Sequence, residues 1–173
     1  IKENYAYTGL KISDKPNKDG LYEVTARDIA VRNKNISSLT NGMFIWKDVR
    51  GNFDCYNCSF LTSLEGAPKK VGGYFYCSSC KLLKSLINAP EKVGGDFYCY
   101  NNQLTDLQGS PSEIRGCFDC SYNQLTDLKG APSVVGGNFY CQKNQLTDLE
   151  GAPSEVGGIF YCSRNQLTTL EGA

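Results

Sequence analysis

The sequence predicts a repeat solenoid, a curved array of short parallel strands with a turn or 3₁₀ convex side and an N-terminal β cap. Three observations carry the prediction. Phe-x-Cys recurs at Phe53-Asp54-Cys55, Phe75-Tyr76-Cys77, Phe97-Tyr98-Cys99, Phe118-Asp119-Cys120, Phe139-Tyr140-Cys141 and Phe160-Tyr161-Cys162, and its cysteines lie 22, 22, 21, 21 and 21 residues apart. A fixed period of this length marks stacked units, each too small to bury an apolar face alone. The residues around each motif alternate, as in Phe97-Tyr98-Cys99-Tyr100, which is the period-two pattern of a strand with one buried face. Corners such as Gly151-Ala152-Pro153 recur between the strands, and proline there breaks any helix.

Taken in order, residues 1–24 fall outside the period. Tyr5 to Ile12 and Leu21 to Thr25 flank Pro16-Asn17-Lys18-Asp19-Gly20, the composition of a turn between two strands. We expect a hairpin cap over the apolar end of the array. Residues 25–173 then form about seven units. The first uses Ile29, Val31, Ile36 and Leu39 and reaches Phe53 through a longer segment, Thr40 to Gly51, holding Met43 and Trp46. Less regular units start at Leu61 and Leu83, and the most regular at Leu104, Leu125 and Leu146. Within a unit, Phe97 and Cys99 point inward, Asn102-Gln103-Leu104 turns the chain, and Leu104 and Leu107 share one side of a short turn or 3₁₀ segment. Val93-Gly94-Gly95 leads back to the next strand through a tight or left-handed bend. The chain opens on Ile1 and stops at Leu170-Glu171-Gly172-Ala173, inside a repeat. An open C-terminal end, and a natural protein that continues, are therefore expected.

Phe97-x-Cys99-x-x-Asn102-x-Leu104, repeated from Phe118, Phe139 and Phe160, fits the pattern L-x-L-x-x-N-x-L. Phe53-x-Cys55-x-x-Cys58-x-x-Leu61 and Phe75-x-Cys77-x-x-Cys80-x-x-Leu83 fit its longer form, in which cysteine replaces asparagine. On these residues the chain resembles leucine-rich repeat proteins across roughly residues 25–173. It departs from them in placing Phe and Cys where leucines are usual. Its short proline-bearing unit is similar to bacterial effector repeats, and its Cys- and Gly-Ala-Pro-rich arrays to those of bacteria and their phages. The resemblance implies a binding module whose concave strand face meets a partner.

The cysteines admit two readings. Cys55-x-x-Cys58 and Cys77-x-x-Cys80, 18 residues apart, have the form of a four-thiolate zinc site. However, Cys55, Cys77, Cys99, Cys120, Cys141 and Cys162 share one inward position, and small buried cysteine is a common core residue. Cys58 and Cys80 take the place of Asn102, Asn123, Asn144 and Asn165, which cap buried backbone groups. We therefore expect no metal and no other cofactor, with zinc at Cys55, Cys58, Cys77 and Cys80 as the lesser alternative. Side chains on parallel neighbours point the same way, which disfavours bridges between units. Nine cysteines is an odd number, and reduced thiols indicate an intracellular, cytoplasmic or virion-associated setting. Cys117 takes an outward position and is expected to be exposed.

Collecting the outward positions gives the candidate binding face: Tyr56, Tyr74, Tyr76, Asp96, Tyr98, Tyr100, Asp119, Tyr140 and Tyr161. Tyrosine offers large contact area with few rotors and a polar tip. We expect a protein–protein interaction module, and alternating Tyr with Asp also permits carbohydrate. A structural subunit of a viral or other assembly, or the recognition domain of a larger bacterial effector or adhesin, are the alternatives. Lys plus Arg and Asp plus Glu each number 18, so a nucleic-acid partner is not expected. Lys69, Lys70, Lys84 and Lys92 read as a solvated edge. No apolar run reaches the length of a membrane span. Without histidine, a nucleophile–base pair or a phosphate-binding loop, no enzymatic activity is expected.

Overall fold

The computed structural model describes residues 6–40, 42 and 44–172. Tyr5 of the expected cap, Met43 of the long segment and the chain ends Ile1 and Ala173 lie outside the described residues. The chain winds into a parallel β-solenoid of about 6 turns. Its first sheet runs in the order Ala6–Thr8, Asp28–Ala30, Phe53–Asp54, Phe75–Tyr76, Phe97–Tyr98, Phe118–Asp119, Phe139–Tyr140 and Phe160–Tyr161. Register is strict: Phe53 aligns with Phe75, Phe75 with Phe97, and so on to Phe160. Ile29 aligns with Phe53, so the unit of Ile29 and Val31 stacks in register on that of Phe53. Among the described residues no helix is long and apolar enough to cross a membrane.

A second sheet runs alongside, which the sequence did not announce. It comprises Lys11–Ile12, Tyr22–Ala26, Phe44–Val49, Lys70–Val71, Lys92–Val93, Glu113–Ile114, Val134–Val135 and Glu155–Val156. Most of its rungs are two residues long, too short to show alternation, and only one residue of each faces the core: Val71, Val93, Ile114, Val135. The chain bends at the glycines that follow, as expected, but not through left-handed backbone. They are required because successive turns touch there. A Cβ on Gly72 would sit 1.9 Å from the Arg50 carbonyl oxygen, and one on Gly94 would sit 2.2 Å from that of Gly72.

The N-terminal segment joins both sheets. Lys11–Ile12 pairs antiparallel with Tyr22–Ala26, the expected hairpin, and Ala6–Thr8 pairs antiparallel with Asp28–Ala30. The core between the sheets is a column of phenylalanines. Phe53, Phe75, Phe97, Phe118 and Phe139 are fully buried, and their ring centroids are 5.3–5.6 Å apart. Each such pair contributes about 0.5–1.5 kcal/mol beyond area burial.

The convex corners close as isolated i→i+3 turns, such as Ala67 N–H to Leu64 carbonyl (2.9 Å) and Ala131 N–H to Leu128 carbonyl (3.0 Å). No 3₁₀ run forms among the described residues. Sharp reversals use left-handed backbone at two points per turn. One falls on glycine (Gly66, Gly109, Gly130, Gly151) or on Asn88. The other follows each strand, at Asn57, Ser79, Asn101, Tyr122, Lys143 and Arg164. Side-chain-bearing residues there cost about 1–2 kcal/mol each. Stacking offsets the cost: the N–H of Asn57, Ser79, Asn101, Tyr122 and Lys143 donates to a carbonyl of the next rung at 2.9–3.0 Å.

Candidate functional site

Three columns of side chains run along the first sheet, and separating structural from free ones defines the site. The inner column is cysteine. Cys55, Cys77, Cys99 and Cys120 are completely buried, and burial pushes their thiols well up; that of Cys141 is pushed up to about 12. These are core atoms, not nucleophiles.

At the corner, asparagine forms a ladder. Asn123 Nδ2 donates to the Cys99 and Cys120 carbonyls at 3.0 Å, while its Oδ1 accepts from Leu104 N–H at 3.0 Å. Asn144 and Asn165 repeat the arrangement with Leu125 and Leu146, and Asn102 makes the same two donations but accepts the Cys80 N–H at 2.8 Å. Cys58 and Cys80 occupy the same position and donate thiol bonds of 3.1 and 3.2 Å to the Val31 and Cys55 carbonyls, with the Ser78 carbonyl a further 3.7 Å contact of Cys80. A hydrogen bond with Cys58, then burial, pushes the Cys80 thiol up. Cys55 and Cys77 therefore belong to one column and Cys58 and Cys80 to another. Among the described residues, no group of three or more His, Cys, Asp or Glu side chains is placed to hold a metal ion.

The outward position just before each phenylalanine is also a ladder. Asp28, Asn52, Asp96 and Asn138 each accept the N–H of the next rung through Oδ1, at 2.7–3.0 Å. Cys117 holds this place with sulfur, accepting from Asn138 N–H at 3.4 Å. It is half-buried rather than freely exposed. Asp96 is thus tied to the scaffold, and its second oxygen accepts the Tyr98 hydroxyl at 2.9 Å.

The remaining outward residues make the face. Tyr56, Tyr74, Tyr76, Tyr98 and Tyr100 form one connected aromatic block centred on Tyr76. Its ring lies 5.2 Å from Tyr56, 5.1 Å from Tyr98, 5.9 Å from Tyr100 and 6.4 Å from Tyr74. The Tyr76 and Tyr100 hydroxyls hydrogen-bond to each other. Burial, then this bond, raises the Tyr76 pKa; burial, then the bond to Asp96, raises that of Tyr98. The rings lie against one another and are half-buried. Ser78, outward between Tyr56 and Tyr100, is fully buried with its hydroxyl unpartnered. Further along, Tyr140 and Tyr161 pair at 6.4 Å, and Asn138 Nδ2 donates to the Tyr140 hydroxyl at 2.7 Å. Between the two groups the rung of Asp119 and Ser121 leaves a gap.

Arg32 was missed by sequence reasoning. Its guanidinium bonds Asp54 Oδ2 at 3.1 Å and lies 5.4 and 5.9 Å from the Tyr56 and Tyr76 ring centres. Aligning Ile29 with Phe53 places Arg32 in the column of Tyr56, so register was the available signal. Burial raises the pKa of Asp54 against the opposing pull of Tyr56 N–H and Arg32.

Fold and site together define a β-solenoid repeat protein with a tyrosine-rich strand face. Comparison with known proteins gives no match among family models, curated sequences or solved structures.

Proposed function

We propose that this chain is a non-catalytic interaction module that binds a protein partner through the outer face of its first sheet. The carrying observation is the division of labour along that face. The asparagine, aspartate and cysteine columns are committed to backbone hydrogen bonds. The tyrosines are the large outward groups, and side-chain hydrogen bonds hold Tyr76, Tyr98, Tyr100 and Tyr140 in place. Rings fixed before contact lose little entropy on binding. The asparagine corner supports reading the units as leucine-rich repeats, with the second sheet as their departure. The buried free thiols favour a reducing, cytoplasmic compartment.

The test is capture of a binding partner from native extract by the full chain and by a Tyr98→Ala/Tyr140→Ala variant. Loss of capture with the melting temperature lowered by only a few degrees supports the reading. Capture at unaltered strength by the variant overturns it.

A further inference from the structure

The gap in the tyrosine face has a counterpart within the chain, at Asp54. Asp54 and Asp119 occupy equivalent positions, each between a phenylalanine and a cysteine of the first sheet. Each turns its carboxylate the same way. Asp54 Oδ1 accepts the N–H of Tyr56 at 3.0 Å, and Asp119 Oδ1 accepts the N–H of Ser121 at 2.9 Å, two residues on in both cases. Their second oxygens differ. Asp54 Oδ2 is paired with Arg32, whose guanidinium also lies over two tyrosine rings. Among the described residues, no ion pair or hydrogen bond reaches Asp119 Oδ2. The place corresponding to Arg32, one rung back, is taken by Tyr100, which is already bonded to Tyr76.

The tyrosine walls are nevertheless present on both sides of Asp119. Strand register sets Tyr98 on one side of it and Tyr140 on the other. Neighbouring strands are about 4.8 Å apart, so the two tyrosines are roughly 10 Å apart at the backbone, and a cation above Asp119 would lie about 5 Å from each ring. That is inside the ~6 Å reach of a cation–π contact and close to the 5.4 and 5.9 Å that Arg32 shows at its own site. Both walls are pinned, Tyr98 by Asp96 and Tyr140 by Asn138.

We propose that the notch between Tyr98 and Tyr140 receives an arginine side chain of a protein partner, its guanidinium paired with Asp119 Oδ2 and stacked between the two rings. The inference rests on the interaction reading above and specifies the chemistry of the contact. Planar guanidinium suits it because that group both bonds carboxylate and stacks on aromatic faces. The notch repeats, for a partner, the carboxylate pairing of Arg32, with Tyr140 in the place of Tyr76 and Tyr98 supplying the second ring where Ser121 replaces Tyr56.

The test is a titration of the isotope-labelled full chain with the capped peptide Gly-Gly-Arg-Gly-Gly, followed by amide chemical shifts. Parallel titrations use the same peptide with lysine or with citrulline, the neutral isostere of arginine. Saturable shifts at Tyr98, Asp119, Ser121 and Tyr140 are expected with arginine, weaker ones with lysine and none with citrulline. Asp119→Asn should lower the arginine affinity about tenfold, and added salt should lower it in the unaltered chain. Equal shifts with citrulline, or undiminished affinity in Asp119→Asn, overturn the inference. Partner capture separates the two levels. Capture lost in Tyr98→Ala/Tyr140→Ala but unchanged in Asp119→Asn overturns the arginine notch and leaves the interaction face standing. Capture indifferent to both sets of changes overturns the face, and the notch with it.

Discussion

The rungs ending at Cys58 and Cys80 and those ending at Asn102, Asn123, Asn144 and Asn165 turn the same corner by different chemistry. An asparagine amide serves backbone groups of two rungs at once, donating to carbonyls of its own strand and the one before while accepting an N–H. A thiol has one weak donor. In the cysteine rungs the leucine N–H finds another partner, even at Leu83, where Asn102 stands in the next rung and accepts the Cys80 N–H at 2.8 Å instead. It does so within its own turn: Leu61 N–H bonds the Cys58 carbonyl at 3.1 Å and Leu83 N–H that of Cys80 at 2.8 Å. Closing that turn needs one more residue between corner and leucine, which is the difference between the 22- and 21-residue spacings. The extra residue goes with the local turn that serves this leucine N–H.

The sharpest way to break this comparison is to remove each corner side chain in turn. Asn123→Ala leaves the Leu104 N–H and two strand carbonyls without their buried partner, and a loss of about 2–4 kcal/mol is expected. Cys80→Ala removes one thiol donor from a corner whose leucine N–H is already satisfied, and about 1 kcal/mol is expected. Chemical denaturation of both variants measures the difference. Equal losses would mean that the amide contributes no more than the thiol, and the contrast between the two corners would fail.

The two outward aspartates give a second contrast of smaller size. Asp54 is 3% exposed and paired. Arg32→Ala would leave it buried without its cation, at a cost of about 1–3 kcal/mol after allowing for the exposure of the arginine. Asp119 carries no such cation, and burial raises its pKa against the hydrogen bonds from Ser121. A carboxyl raised on folding binds its proton more tightly in the native state. Its charged form therefore penalises stability above the folded pKa, and the penalty fades as pH falls through that value. Asp119→Asn keeps an acceptor for Ser121 and removes the charge, so it is expected to stabilise the chain by at most about 1 kcal/mol at neutral pH. The gain should vanish below the ordinary aspartate value of 3.8. Melting curves across pH check it, and destabilisation at pH 7 would contradict it. Such a residue, costing stability where it stands, fits a binding role better than a structural one.

How much of this was legible in the sequence depended on whether a column repeats. Phe-x-Cys and the asparagines recur in every regular unit, so strand, register and inward face could be read directly. The second sheet could not, because strands like Lys92–Val93 are too short for alternation and the bend at the glycines that follow drew the eye from them. On the face, the tyrosines were legible as outward, but their packing against each other was not, since the ring positions depend on neighbours one rung away. Asp96 and Asn138 looked like free polar groups, and only the backbone N–H of the next turn shows why they are there. Arg32 belongs to a rung whose irregular length hid its column.

The smallest expected effect concerns thiol reactivity and leaves stability untouched. Cys58 and Cys80 are fully buried and hydrogen-bonded at the corner, whereas Cys117 and Cys162 are only half-buried. A thiol reagent reacts with thiolate that it can reach, so in the native chain Cys117 and Cys162 should be labelled first. The buried thiols should follow only at the rate at which the solenoid opens locally, and all nine cysteines should react once the chain is unfolded. Peptide mapping after timed labelling distinguishes the sites. Cys58 or Cys80 reacting as fast as Cys117 would mean that the cysteine corners open more readily than the asparagine corners. The weaker donor would then set the local stability of its rungs.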